Sequence, residues 1–417
     1  MENILRNHAK EIYEYAIGEN MPNSAVEKAL ENVSFHGKTV LVSIGKAGWE
    51  MAKTAYDILG DEIDSGIVIT KYDHSKGNIG KLEIYEAGHP VVDFNGICAT
   101  KRAIELTSGL TEKDTVLFLV SGGGSALFES VSCSLEKMQE LTRALLHSGA
   151  TINEMNAIRK HVSQVKGGKF ARLVQPASVY AIVLSDVVGD DLSTIASGPA
   201  TADNTTVEDC LSILEKYNIS VDDEMLDIIK NETPKEMKNA THTISGSVCQ
   251  FVKSGTQKAK ELGYETLVVS DSVTCDATEI AEKIGELAEK NRETRTPLAI
   301  FFGGEVTIKV KGDGKGGRNQ ELALMCAKKI KNYSNMAVFC IGSDGTDGPT
   351  DAAGGYVDTN TYETIAKCGK TPEEYLENND SYNALSISDG LIFTGATGTN
   401  VNDLYALIIL PKENESL

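Results

Sequence analysis

Residues 115–126 read TVLFLVSGGGSA, an uncharged run of Thr, Val, Leu and Phe that passes into a serine, three glycines, a serine and an alanine. An apolar run of this length without alternation signifies a strand buried on both faces, and such strands belong to parallel sheets covered by helices. Consecutive glycines at its end let successive backbone N–H groups turn toward one point, a nest that binds anions. Ser121 and Ser125 add hydroxyl donors to Gly122, Gly123 and Gly124. A tight turn is the other use of such glycines. Two familiar phosphate-binding patterns are excluded: no GxxxxGK[ST] occurs in the chain, and this run fails GxGxxG because Leu127 fills the last position.

Outward from this run the same cadence returns. Residues 39–44 (TVLVSI), 65–70 (SGIVIT) and 179–184 (VYAIVL) are further buried-strand candidates separated by helix-length segments. The pattern predicts an α/β fold whose N-terminal part is a Rossmann-like, doubly wound, mainly parallel sheet. Residues 2–32 read as helical surface material. A helix of about 20 residues is expected from Asn153 onward, and Gly167 with Gly168 sits where a left-handed cap would stop it. Asn153, Asn156, Lys160 and Ser163 share one of its faces, either functional or simply solvated.

A chain of 417 residues exceeds what one core usually serves, so two domains are expected. Residues 231–240 (NETPKEMKNA) are polar, contain a proline and lack an apolar period, as an inter-domain linker does. The expected domains are therefore 1–235 and 241–412, the second also α/β, with strands near 298–302, 337–341, 391–394 and 406–410. Acidic residues outnumber basic ones 60 to 40, and the net charge of -20 opposes binding to nucleic acid or to anionic membranes. Eight singly placed cysteines exclude the common zinc and redox spacings. No apolar run reaches the length of a signal or a membrane span, so a cytoplasmic protein is expected.

Polar residues at the ends of these strands carry the chemistry. Lys46 follows the first strand and precedes a helix, where its ammonium can reach an anion at the helix N-terminus. Arg318 closes the loop 312–318 (GDGKGGR) before another helix, a place from which a guanidinium can fork onto phosphate; a glycine-rich hairpin is the alternative. Two acidic loops follow strands: 184–199 with Asp186, Asp190 and Asp191, and 341–355 with Asp344, Asp347 and Asp351. Magnesium-nucleotide chemistry needs carboxylates near phosphate oxygens and a base near the attacking hydroxyl, although any one Asp can equally form a turn or cap a helix. His89 can hydrogen-bond substrate or be structural, and Glu305, after Gly303 and Gly304, can face nucleotide or metal or pair with a structural lysine.

Taken together, GKAG (45–48), GHPVVD (88–93), SGGGSAL (121–127), NEMNAIRKHVSQVKGGKFA (153–171), SDVVGDDLSTIASGP (185–199), GGEVTIKVKGDGKGGRNQE (303–321) and SDGTDGPTDAAGG (343–355) resemble the glycerate 2-kinase family, in family order and over nearly the whole chain. The C-terminal part is similar to that family's MOFRL domain. The resemblance implies two α/β domains with the active site in the cleft between them, and conversion of ATP and D-glycerate to ADP and 2-phosphoglycerate with a divalent metal. It implies functional roles for Lys46 and Arg318 and an acidic position at Asp186 or Asp190. On this reading Lys46, Arg318, Asp186 and Asp190 are catalytic, and Lys46, His89 and Arg318 bind substrate. Ser121, Gly122, Gly123, Gly124, Ser125, Gly303, Gly304 and Glu305 bind nucleotide phosphates, and Asp344 and Asp347 bind Mg2+. D-glycerate and ATP are the partners of a monomer or homodimer. Two other readings stay open: a nicotinamide-dependent hydroxypyruvate or tartronate reductase, opposed by the failure of the glycine run 122–127 to match the dinucleotide fingerprint, and a non-catalytic sugar-phosphate-binding protein, which leaves the acidic loops without a chemical purpose.

Overall fold

The computed structural model describes residues 2–412. These form two compact units: Pro22–Ser245, and the residues up to Met21 together with those from Gly246 onward.

In the first unit, β1 (Thr39–Ile44), β2 (Ser65–Lys71), β3 (Glu83–Ala87), β4 (Thr115–Val120), β5 (Ser178–Leu184) and β6 (Ala240–Gly246) lie in the order β3-β2-β1-β4-β5-β6. The strands β3 through β5 run parallel. Both faces of β1 and β4 are covered, as runs without alternation require, and Phe118, Phe128 and Phe170 stack at centroid distances of 5.0–5.8 Å in the core beside them. The order reverses direction between β1 and β4. Connections therefore leave these two strands toward opposite sides, and a crevice opens beyond their carboxyl ends, the usual ligand position of such sheets. The loops carrying Lys46 and the glycine run both start there.

In the second unit, β7 (Glu265–Val273), β8 (Leu298–Gly304), β9 (Met336–Gly342), β10 (Gly354–Asp358), β11 (Leu391–Ile392) and β12 (Asp403–Ile409) lie in the order β11-β10-β9-β12-β8-β7. Only the β7/β8 pair is parallel; β12 returns antiparallel between β8 and β9, and β10 and β11 continue antiparallel. The unit is α/β with a mixed sheet, and β9 and β12 are fully buried.

Three expectations change. Residues 2–32 form the helices Glu2–Glu19 and Pro22–Leu30, but neither is mere surface. Leu5, Ala9, Ile12 and Ala16 make a buried stripe, and the first helix packs on the helix Val248–Glu261 and on β9 and β12. It thus belongs with the C-terminal residues, and β6 extends the first sheet past the polar run 231–240, so the units part at Met21 and Ser245 instead of between 235 and 241. The helix expected from Asn153 spans only Ile152–Val162. It stops because Lys169 Nζ donates to the carbonyls of Lys160 (3.0 Å), His161 (2.8 Å) and Ser163 (2.7 Å), satisfying the open end of the helix. Gly167 and Gly168 are left-handed but lie in the connection to the next helix, Lys169–Val174. The face of Asn156, Lys160 and Ser163 turns inward: Lys160 pairs with Asp203 at 3.2 Å, and Ser163 Oγ donates to Glu129 Oε1 at 2.5 Å. Glu129 forms a second buried ion pair with Lys166.

Candidate active site

In the first unit the loops after β1 and β4 are braced together. Ser121 Oγ donates to the Ile44 carbonyl (3.1 Å) and accepts from the Ala47 amide (3.1 Å), while the Lys46 amide donates to the Gly122 carbonyl (2.9 Å). Gly45 is left-handed, and a Cβ there would lie 2.2 Å from Ser121 Oγ, so only glycine lets the loops touch. Ser121 is buried and its hydroxyl is used inside the protein, which corrects the expectation that it donates to phosphate. The amides of Gly122, Gly123 and Ser125, by contrast, meet no acceptor among the described residues. With Gly123 left-handed at φ 87 they form an open nest of donors. Ser125 Oγ lies 3.0 Å from Ser197 Oγ.

Three side chains close on this nest. A Cβ at Gly122 would fall 2.3 Å from Asp186 Oδ2, and one at Gly123 would fall 3.0 Å from His89 Cδ2 and 3.3 Å from Lys46 Cγ. The ends of β1, β3, β4 and β5 thereby bring Lys46, His89 and Asp186 to one point. Lys46 is exposed and has no ion-pair partner among the described residues, which in so acidic a chain leaves a cation open to an anionic ligand. Burial holds the His89 imidazole below its ordinary pKa, and the positive charges of Lys46, Lys71 and His74 add to this, so it is neutral at pH 7.

The loop after β5 sorts its carboxylates. Asp191 accepts from the Ser193 amide (2.9 Å), Ser193 Oγ (3.0 Å) and Thr194 Oγ1 (2.9 Å). Burial raises its pKa, but these bonds outweigh that and bring the carboxyl below the usual range: Asp191 caps a turn. Asp190 is left-handed (φ 54), and its buried Oδ1 accepts no hydrogen bond among the described residues. Ala196, Ser197 and Gly198 are all left-handed, at φ 49, 59 and 64. Such strain in non-glycine residues concentrates at functional sites, and here it presses Ala196 against Gly124, where a Cβ would come within 2.8 Å.

In the second unit Arg318 begins the helix Arg318–Ile330. Its Nε and Nη2 donate to Asp403 Oδ2 (2.6 Å) and Oδ1 (3.0 Å), and its Nη1 donates to Glu305 Oε1 (2.5 Å). Asp403 opens β12 opposite Gly304 and Gly342, the last residues of β8 and β9. A Cβ at Gly342 would lie 3.4 Å from both Asp403 Oδ1 and Asp344 Oδ1, so Arg318, Glu305, Asp403 and Asp344 gather at the same strand ends. Burial pushes the Asp403 carboxyl up to about 6 against the pull of Arg318, and it is ionised at neutral pH. Burial also opposes the charge of Arg318, but Asp403 and Glu305 hold its pKa above the usual range.

Two assignments in this unit are corrected. Gly303 and Gly304 lie inside the sheet as the end of β8, where a Cβ would strike Val252 Cγ2 (2.3 Å) or the Val273 carbonyl (2.2 Å); they permit close packing and are not a phosphate loop. Asp347 is buried and its carboxylate accepts four hydrogen bonds, from Asn319 N (3.1 Å) and Nδ2 (3.3 Å) and from Gln320 N (2.9 Å) and Nε2 (3.0 Å). A carboxylate offers about four lone-pair sites, so it caps the helix that Arg318 begins and has none left for a metal. No group of three or more His, Cys, Asp or Glu side chains among the described residues could hold a metal. A magnesium ion carried mainly by nucleotide phosphates and water needs only one or two carboxylates, and Asp344, bonded through Oδ1 to the Thr346 amide (3.0 Å), fits that lighter role.

Known proteins match both units. A family model described as a domain of unknown function (DUF4147) covers residues 8–230, and the MOFRL family model covers residues 298–403. The D-glycerate 2-kinase of Thermotoga maritima is 49% identical over 412 residues, 97% of this chain and 99% of that protein. The chain belongs to the glycerate 2-kinase family. The glycerate 2-kinase of Pyrococcus horikoshii is 38% identical, over 91% of this chain and 89% of that one. A crystal structure of glycerate kinase from Thermotoga maritima matches with a TM-score of 0.93 at 48% identity, covering 98% of this chain and 100% of that chain.

Within this family member, sequence reading passed over Asp403 and Asn402, whose Nδ2 donates to Glu305 Oε2 at 3.2 Å. Their sole signal is a charge at the entry to the otherwise uncharged strand DLYALII. Nothing in the local sequence announces that Glu305 pairs with an arginine instead of a lysine, or that Ala196 and Ser197 are left-handed.

Proposed function

We infer that this chain is an ATP-dependent D-glycerate 2-kinase, a phosphotransferase that moves the terminal phosphoryl group of ATP onto the C2 hydroxyl of D-glycerate. The observation that carries this reading is the meeting of Lys46, His89 and Asp186 at the open amides of Gly122 and Gly123, at the strand ends where sheets of this order bind ligands. Phosphoryl transfer asks of a protein mainly positioning and charge stabilisation. The nest holds phosphate oxygens and Lys46 neutralises the anion bound beside it, while in the second unit the open N–H groups of Arg318 offer a forked place for an oxyanion. Asp190, whose buried Oδ1 has no partner among the described residues, takes the C2 hydroxyl proton as the hydroxyl oxygen bonds to phosphorus and the bond to ADP breaks. Asp186 and the neutral imidazole of His89 orient the substrate. Magnesium, when bound, supplies further neutralisation of the phosphates, and Asp344 would hold it.

The strong acidity supports a reading without nucleic-acid partners, and no helix among the described residues is long and apolar enough to cross a membrane. A cytoplasmic location belongs to the same proposal.

Incubation with ATP, Mg2+ and D-glycerate should release ADP and yield the 2-phosphate ester, distinguished from the 3-ester by phosphorus NMR. Lys46→Ala and Arg318→Ala should each lower kcat by at least ~100-fold. Near-wild-type turnover in either variant removes that residue from the mechanism, and a cofactor absorbance change with hydroxypyruvate in place of ADP release would make the protein a reductase.

A further inference from the structure

The two carboxylates on Arg318 are unequal. Asp403 is 1% exposed and takes two hydrogen bonds, whereas Glu305 is 45% exposed and takes one. Asp403 is held on every side. It sits in β12 between β8 and β9, and the buried Tyr405 hydroxyl donates to its Oδ2 at 3.2 Å while accepting from the Val306 amide at 3.1 Å. Glu305 lies just beyond the end of β8, steadied by Arg318 and Asn402. A guanidinium has five N–H groups. Three of those on Arg318 are engaged by the two carboxylates, which leaves one N–H on each terminal nitrogen, the pair that forks onto a tetrahedral oxyanion. An ion pair this open to water contributes little and yields easily, while a buried bidentate pair is costly to break.

We propose that Glu305 is a displaceable counter-ion of Arg318, holding Nη1 until a phosphate-class anion takes it, while Asp403 is the positioning residue that keeps the guanidinium in place throughout. The proposal deepens the kinase reading, since it rests on Arg318 as a phosphate-binding group. Glu305 then acts by being in the way: it keeps Arg318 from holding stray oxyanions, and it does not contact nucleotide as a donor.

The test uses the full-length chain and inorganic phosphate, titrated by calorimetry into wild type, Glu305→Gln and Glu305→Asp. The first variant removes the charge; the second keeps the charge but withdraws the carboxylate from Nη1. Both should bind phosphate about 2- to 5-fold more tightly than wild type. Tightening in Glu305→Gln alone reduces the effect to general electrostatics and overturns the proposal, as do unchanged or weaker binding in both variants and an absence of phosphate binding in all three. Asp403→Asn should lower kcat by ~100-fold while KM for ATP moves by less than about 3-fold, because the donor is misaimed and not removed. If that variant does not fold, Tyr405→Phe, which frees Asp403 Oδ2 from its brace, should lower kcat several-fold with the same unchanged KM, and a wild-type kcat there overturns the role of Asp403. Wild-type protein that releases no ADP but shows the phosphate pattern sinks the kinase reading alone; ADP release with unaltered phosphate binding in both Glu305 variants sinks this proposal alone.

Discussion

Gly123→Ala isolates the geometry on which the first unit's chemistry depends. Gly123 is left-handed at φ 87, and an L side chain in that region costs about 1–2 kcal/mol. Its new Cβ would lie 3.0 Å from His89 Cδ2, 3.2 Å from His89 Nε2 and 3.3 Å from Lys46 Cγ, so both side chains must retreat by a few tenths of an ångström. Gly109, in the turn after the helix Phe94–Leu106, supplies the control: it is also left-handed, at φ 71, but a Cβ there meets nothing within 4 Å. The two alanine variants should therefore lose a similar ~1–2 kcal/mol in urea unfolding. Their activities should diverge. Misplacing a positioned group by about 1 Å costs ~100-fold, so smaller displacements of Lys46 and His89 together should lower kcat/KM in Gly123→Ala by roughly 10- to 100-fold, while Gly109→Ala keeps the wild-type value. ADP release at subsaturating glycerate reads this ratio directly. If kcat/KM of the two variants agrees within about 2-fold, the nest with its two neighbours is not where the reaction is organised.

Other expected outcomes bear on stability and protonation. Lys166→Met leaves Glu129 charged and unpaired at 1% exposure, and should cost about 3–5 kcal/mol in chemical denaturation, much of it recovered by adding Glu129→Leu; a loss under about 1 kcal/mol would mean that the pair carries no such weight. Asp347→Ala strips the N-terminus of the helix Arg318–Ile330 of its acceptor and should cost about 1–3 kcal/mol without changing the magnesium dependence of turnover; a raised magnesium requirement would return Asp347 to the metal site. The His89 pKa lies below the unfolded value of 6.5, so His89 withholds no stability above that pH. As pH falls below 6.5 the unfolded chain takes up a proton that the folded one refuses, and stability declines. Lys46→Met should raise the His89 titration midpoint in proton NMR, because one of the charges opposing the imidazolium is gone; an unmoved midpoint places the two side chains apart.

Legibility in the sequence followed the range of the forces involved. Uncharged runs such as 39–44 and 115–120 are read locally, because a strand covered on both faces must be apolar throughout; from their cadence the doubly wound sheet and the positions of Lys46 and the glycine run follow. Ser121 misled because a hydroxyl's partner is a matter of approach: its acceptor is the Ile44 carbonyl on another strand. Gly303 and Gly304 look like a second phosphate loop, yet what demands glycine there is the closeness of Val252 and Val273. The helix from Asn153 carries an apolar period beyond its true end, and it takes Lys169 folding back onto three carbonyls to stop it.

By itself the sequence determined the fold class and the placing of Lys46 and the glycine run at strand ends, because burial and backbone freedom are properties of short segments. Tertiary structure decided what the carboxylates with remote partners do. Asp347 fills its lone pairs with Asn319 and Gln320, and Asp403 grips Arg318 because β12 returns antiparallel beside β8. Asp190 retains an oxygen that accepts no hydrogen bond among the described residues. An ionised oxygen acts on whatever stands within about 3 Å of it, and for most of these groups that neighbour is supplied by a segment remote in the chain.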